Sequence, residues 1–195
     1  MEETIKNLAK AFIGESQARN RYAIYSKIAR KEGYEQIAEI FLVTADNERV
    51  HARVLFELIQ ELKEKSNKNK FSEIKVDSTT PTSFGTTAEN LEAAANGEKY
   101  EYTQMYPSFA ETAKKEDLQK ISAKLLAIAK AEEHHEERYK KILGQVKTGT
   151  FFKKTKEKWW VCRECGYTHY GKEPPSKCPS CDHERGFYQI KCEEY

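Results

Sequence analysis

Residues 125–142 read LLAIAKAEEHHEERYKKI. Alternating steps of three and four hold side chains on one face of a helix. Sampled that way from Ile121, the chain gives Ile121, Leu125, Ile128, Glu132, His135, Tyr139 and Ile142. An apolar seam is interrupted at its middle by a carboxylate and an imidazole, and their i, i+3 spacing places both on the same side of the helix. His134 is out of register with Ile128 and Ile142, so it is read as a flanking residue and not as a metal ligand.

Three other stretches are built the same way, and with Asp117 to Val146 they make four long helices: Glu3 to Arg30, Glu35 to Lys63 and Thr87 to Lys114. The first seam is Ile5, Leu8, Phe12, Glu15, Arg19, Tyr22, and the second is Ile37, Phe41, Thr44, Glu48, His51, Leu55, Leu58, Leu62. The third is Leu91, Ala94, Glu98, Glu101, Met105. Each seam is broken near its middle, so an antiparallel bundle brings Glu15, Glu48, His51, Glu98, Glu101, Glu132 and His135 to one depth. A single glutamate on a charge-rich chain is ordinary surface. Five of them in a core without counter-charge would cost several kcal/mol per ion or be forced to protonate. A pair of divalent ions supplies four positive charges against those five negative ones. Glu48-Arg-Val-His51 and Glu132-Glu-His-His135 repeat Glu-x-x-His on two helices, the ligand pattern of carboxylate-bridged di-metal bundles. Oxygen and imidazole donors suit iron or manganese, with zinc left open. Tyr22 and Tyr102 lie one or two turns from Glu15 and Glu98 and are read equally as core residues or as hydrogen-bond partners of the carboxylates.

Ser66 to Gly85, polar and carrying Pro81, is far longer than a helical hairpin needs. A helix of about 29 residues is roughly 43 Å long, and about 13 extended residues span that distance, so the segment is read as a crossover running the length of the bundle. One long crossover is the connectivity of ferritin-like bundles. Thr86-Thr-Ala-Glu89 is a capping box that opens the third helix, and Pro107 is expected to kink that helix or end it early. The expected organisation is a four-helix bundle over residues 1–146, a basic, glycine-containing linker over 147–158 (KTGTFFKKTKEK), and a small second module over 159–195. Those last 37 residues are too few to build a core without a metal or cross-links.

All five cysteines fall in that module. Cys162-Arg-Glu-Cys165 and Cys178-Pro-Ser-Cys181 are two Cys-x-x-Cys pairs separated by twelve residues, the spacing of a tetrahedral four-thiolate site for zinc or a single iron. The stretch resembles rubredoxin in its Cys-x-x-Cys-Gly-Tyr over residues 162–167, its Cys-Pro-x-Cys over 178–181, and its aromatics Trp159, Trp160, Tyr167, Tyr170, Phe187 and Tyr188. That resemblance favours iron over zinc. Asp182 stands where the rubredoxin pattern has a second glycine, and aspartate tolerates the left-handed conformation better than most residues. Cys192, His169 and His183 lie outside the spacing and are read as non-ligands.

Taken together, the two halves resemble the rubrerythrin family over nearly the whole chain. The resemblance implies a mainly α fold, a ferritin-like four-helix bundle with a small C-terminal rubredoxin-like metal-bound β domain. It implies di-iron ligands Glu15, Glu48, His51, Glu98, Glu101, Glu132 and His135, an Fe(Cys)4 site of Cys162, Cys165, Cys178 and Cys181, and a redox-dependent exchange pairing Glu101 against His51. It further implies reduction of hydrogen peroxide to water, in oxidative-stress defence of an anaerobe. The electrons would be relayed through the Fe(Cys)4 centre from a rubredoxin or an NAD(P)H:rubredoxin oxidoreductase. A homodimer in which one subunit's rubredoxin-like domain approaches the other's di-iron site is likewise implied.

Competing readings are a ferroxidase or iron-storage protein using the same bundle, a non-enzymatic zinc-ribbon metal-binding protein, and oxygen in place of peroxide as the oxidant. The chain of 195 residues carries 33 Lys+Arg against 31 Asp+Glu, net +2, with both signs interleaved, which leaves no nucleic-acid footprint. No membrane span is expected. The opening Met1-Glu-Glu-Thr-Ile-Lys lacks a basic region followed by an apolar run, so a cytoplasmic location without disulfides is expected. The nine glycines form no Gly-x-Gly-x-x-Gly, so no dinucleotide site is expected and reducing equivalents must come from a partner.

Overall fold

The apolar seams assemble as long helices in the computed structural model, which describes residues 1–66 and 71–193. Helix α1 (Glu2–Lys31) and α2 (Glu35–Lys65) form one antiparallel pair. Their turn is set by Gly33, whose φ of +81° lies in the left-handed region, while the Tyr34 amide donates to the Ala29 carbonyl at 2.9 Å. Helix α3 (Thr87–Tyr100) opens with the capping box: the Glu89 amide donates to Thr86 Oγ1 at 3.3 Å and the Thr86 amide donates to Glu89 Oε2 at 2.8 Å. The crossover from 66 to 85, of which residues 67–70 lie outside the described residues, follows the bundle. Phe71, Ile74 and Val76 pack on one core cluster, and Tyr25 at the other end donates to the Ser83 carbonyl at 2.8 Å.

The third helical segment does not simply kink at Pro107. It widens before the proline into a π-helical turn over Glu101–Met105, and α4 (Tyr106–Lys115) then restarts with the proline in its first turn, where a missing N–H costs least. Asp117, expected to begin the last helix, instead sits at φ +60° in the connecting turn, with the Leu118 amide donating to the Ala113 carbonyl at 2.8 Å; α5 runs Gln119–Lys147. Among the described residues no helix is long and apolar enough to cross a membrane.

The bundle interior is two apolar clusters rather than one. The first gathers Ile5, Leu8, Leu55, Leu62, Tyr106 and Leu125, and the second gathers Tyr22, Tyr25, Phe41, Leu91 and Tyr139. In α1, α2 and α5 the carboxylate positions lie along the helix between the residues given to the first cluster and those given to the second, so a polar belt crosses the core at mid-height.

The C-terminal module is a three-stranded antiparallel sheet, with β1 (Lys158–Cys162) between β2 (Thr168–Gly171) and β3 (Tyr188–Ile190). Its core is little more than Trp160, Tyr188, Cys162 and Cys178. The preceding stretch, read from sequence as a linker, carries Phe152 stacked on Tyr34 at 5.7 Å and Phe151 edge-on to it at 5.6 Å. Arg163 pairs with Glu39 of α2 at 2.6 Å, and Gly186 packs so closely on the α1–α2 turn that a Cβ there would lie 2.4 Å from the Gly33 carbonyl oxygen. Gly186→Ala must therefore push the module away from that turn. An overpacked contact costs about 1–3 kcal/mol, so the expected outcome is a lower thermal midpoint; an unchanged midpoint would mean that the two surfaces are not held together in solution.

Candidate metal centres

Glu15 comes from mid-α1, Glu48 and His51 from α2, Glu98 from the end of α3, and Glu132 and His135 from α5. Glu15, Glu48 and Glu132 are completely buried, Glu98 is 1% exposed and His135 4%. Their ligand atoms form two overlapping groups, each with all members within 4.8 Å of one another: Glu15, Glu48, His51 and Glu132, and Glu48, Glu98, Glu132 and His135. Glu48 and Glu132 belong to both. Each presents one oxygen to each histidine. His51 Nδ1 lies 2.9 Å from Glu48 Oε2 and 2.8 Å from Glu132 Oε1, while His135 Nδ1 lies 3.2 Å from Glu48 Oε1 and 2.8 Å from Glu132 Oε2. This is the arrangement of two carboxylates bridging two sites, each capped by one further carboxylate, Glu15 on one side and Glu98 on the other.

Two tyrosines reach in from the apolar clusters. Tyr106 donates to Glu15 Oε1 and Tyr22 donates to Glu98 Oε1. That leaves Glu15 Oε2 and Glu98 Oε2, together with Glu48 Oε1, both Glu132 oxygens and His135 Nδ1, as buried atoms with no partner in hydrogen-bond geometry among the described residues, the last four meeting only other ligand atoms of the cluster at ion-pair distance. Buried polar atoms are almost always satisfied, so a concentration of six around one point is the signature of donors arranged for cations. The set fits a pair of divalent ions: Glu48 and Glu132 would bridge, and Glu15 with His51, and Glu98 with His135, would complete the two sides.

Burial pushes Glu15 well above the usual carboxylate range, reinforced by the charges of Glu101, Glu132 and Glu48. Burial likewise pushes Glu98 up to about 8, although His135 opposes the rise. The histidines move the other way from buried imidazoles in general: burial pulls them down, but Glu132 and Glu48 outweigh it and raise His51 to about 9 and His135 to about 12. Burial would raise Glu48, yet the two histidines hold it below its ordinary value. The buried carboxylates thus raise the proton affinity of the cluster as a whole.

Glu101 is half-buried in the π-helical turn and is not a member of either close group. Burial and then the charges of Glu98, Glu132 and Glu48 push it well above the usual range, so it faces the cluster from one step back. Tyr102 is partly buried against the first apolar cluster, and the hydroxyl that meets Glu15 belongs to Tyr106. Sequence phase missed Tyr106 because the π-helical turn adds a residue to the register and turns position 106 inward beside Met105; Pro107 was the signal that the α-helical phase would not survive. His134 is exposed on the outer side of α5.

In the C-terminal module Cys162, Cys165, Cys178 and Cys181 place all four sulfurs within 4.8 Å of one another. The Cys162–Cys181 and Cys165–Cys178 separations are both 3.7 Å, against the edge of about 3.8 Å of a tetrahedron with metal–sulfur bonds of about 2.3 Å. Both knuckles turn through a left-handed residue, Gly166 at φ +78° and Asp182 at φ +60°, whose amides donate to the Cys162 and Cys178 carbonyls at 2.9 Å. Asp182 therefore makes the turn that the rubredoxin pattern gives to glycine. His169, His183 and the exposed Cys192 are outside the group.

Comparison with known proteins accords with both centres. The family model described as Rubrerythrin matches residues 6–143, and that described as Rubrerythrin, rubredoxin-like domain matches residues 160–189. A protein of Methanocaldococcus jannaschii with rubrerythrin in its name is 59% identical, covering 100% of this chain and 96% of the relative. Rubrerythrin-1 of Clostridium acetobutylicum is 45% identical over 99% and 96%, respectively. A solved structure of fully reduced, all-ferrous nigerythrin superposes with a TM-score of 0.63 at 31% identity, covering 96% of this chain and 86% of that one. The carboxylate and histidine cluster is thus a di-iron site, and the four cysteines form a rubredoxin-like site.

The shifts predict how the metal-free chain responds to pH. Glu98 folds with a value near 8 against 4.5, and His51 with one near 9 against 6.5. Both bind more protons folded than unfolded, so each stabilises the fold fully below its unfolded value and loses that contribution as pH rises through the folded one. The urea midpoint of chelator-stripped protein is expected to fall from pH 6 to pH 9, and re-addition of ferrous iron under anaerobic conditions should flatten the dependence. A midpoint that rises over that range would contradict the protonated cluster.

Proposed function

The chain belongs to the rubrerythrin family, and on that footing we propose that it is a non-haem di-iron peroxidase, reducing hydrogen peroxide to water with electrons from an external donor. The observation that carries the reading is the pairing, within one chain, of a closed two-sided carboxylate cluster with a separate four-thiolate site. A storage or ferroxidase role needs only the first. When bound, a ferrous pair supplies together the two electrons that O–O cleavage needs, and an iron in the four-cysteine site supplies one electron at a time.

The chain's own residues set the conditions for that chemistry. Glu15, Glu48, His51, Glu98, Glu132 and His135 hold the pair, and Cys162, Cys165, Cys178 and Cys181 hold the single iron, with residues 1–146 and 159–195 as the respective domains. Tyr22 and Tyr106 stay protonated: burial first, and then the neighbouring carboxylates, push both phenols well above their usual range. Each hydroxyl ties down Oε1 of its carboxylate and leaves Oε2 free to bind. Glu101 and His51 both act on Glu15: His51 Nδ1 lies 3.9 Å from Glu15 Oε1, and among the neighbouring carboxylates Glu101 exerts the strongest charge effect on Glu15. That is the placement expected of two side chains that exchange at one metal position. The apolar clusters above and below exclude water from the belt.

The donor is a rubredoxin-type protein or an NAD(P)H:rubredoxin oxidoreductase, in oxidative-stress defence in the cytoplasm of an anaerobe. The functional unit is a homodimer. Ile24, Val43 and Phe56 on the outer faces of α1 and α2 are 43%, 47% and 48% exposed, an apolar surface of the kind a second copy covers.

Anaerobic stopped-flow of the fully reduced, iron-loaded protein tests the reading. Mixing with hydrogen peroxide should restore the ferric-thiolate colour faster than mixing with oxygen does, and no colour or equal rates would overturn it. His135→Ala and Glu48→Ala should abolish peroxide reduction while leaving the four-cysteine iron spectrum intact. Cys178→Ser should stop turnover with an external donor, yet chemically reduced protein should still consume one equivalent of peroxide.

A further inference from the structure

A cavity of about 440 Å³ opens between α1, α3, the π-helical turn and the crossover. At roughly 30 Å³ per water molecule in the liquid, it holds a small solute together with its hydration. Its lining includes Gly14, Gly97, Arg21, Pro81, Tyr100 and Glu101. Glu101 joins this space to the buried cluster by position: it lines the cavity and opens the π-helical turn that continues α3, three residues after the buried Glu98.

Two of the lining residues are glycines. Both lie inside helices, where glycine is unfavourable relative to alanine. Neither has a positive φ, and a Cβ built on either meets nothing within 4 Å, so neither a turn nor close packing calls for glycine there. Both immediately precede a buried cluster residue, Glu15 and Glu98. What the two share is the cavity they line. Side chains at 14 and 97 would project into or beside open space that now leads to Glu101.

We propose that this cavity is the route by which small solutes reach the di-iron site, and that Gly14 and Gly97 are the residues that keep it open and set the size of what enters. The role is one of access, and Glu101 stands at its inner end. The inference rests on the peroxidase reading for the identity of the solute, but not for the existence of the route.

The test is the association of azide with oxidised, iron-loaded protein, followed by the azide-to-iron absorption in stopped-flow. Gly14→Leu/Gly97→Leu should slow association at least tenfold, with iron content, helical circular dichroism and the ferric-thiolate spectrum unchanged. Gly144→Ala, a helical glycine with equally open surroundings outside this cavity, should leave the rate as it was. An unaltered azide rate in the fully loaded double leucine variant overturns the route. If the leucines prevent iron loading, Gly14→Ala/Gly97→Ala becomes the test: a threefold slowing supports the route and no slowing overturns it. The peroxide reading is judged apart from this, because unsubstituted protein that binds azide but consumes no peroxide refutes that reading while the azide comparison still decides the route.

Discussion

Everything in the bundle answers to one constraint, the burial of carboxylates at its centre. Glu15, Glu48, Glu98 and Glu132 sit at or near zero exposure within a protein whose interior is mainly aliphatic and aromatic. Moving each charge out of water costs several kcal/mol unless compensated. The compensation available from the chain itself is partial: two histidines, two phenolic hydroxyls, and protons taken up by the carboxyls. The remainder is the electrostatic demand for cations, and the unpartnered oxygens mark where they sit.

The same constraint organises the apolar core. Because the belt crosses every long helix, hydrophobic burial is divided into a cluster on either side, and each sends one tyrosine into the belt. Tyr22 and Tyr106 are thus packing residues along their rings and polar residues at their tips. A bundle with a continuous apolar core would be simpler to fold, but it would contain no site. The glutamates are kept in place by packing above and below, with each cap tied to a hydroxyl, so the geometry does not depend on a flexible loop.

The C-terminal module repeats the logic on a smaller scale. Its few buried residues include two of its own cysteines, so the metal site is also part of its core. It is held to the bundle by short contacts: the Tyr34–Phe152 stack, the Arg163–Glu39 pair, and the approach of Gly186 to Gly33. In the basic, glycine-containing stretch between the domains, Phe151 and Phe152 pack on Tyr34 as an aromatic joint.

Much was legible in the chain because helices and knuckles are local. The period of the seams located α1, α2 and α5 and put Glu15, Glu48, His51, Glu98, Glu132 and His135 on inward faces, and two Cys-x-x-Cys pairs announced a four-thiolate cluster. Periodicity carries no information about a change of phase, so the π-helical turn was invisible except through Pro107, and with it went the inward turn of Tyr106 and the set-back position of Glu101. Nor does periodicity reveal which side chains meet across a bundle. That Glu48 and Glu132 each face both histidines, that Tyr106 reaches Glu15 across 91 residues of chain, and that Gly14 and Gly97 border one cavity are facts of packing. They arise only when four faces, each specified locally, close on one another in three dimensions.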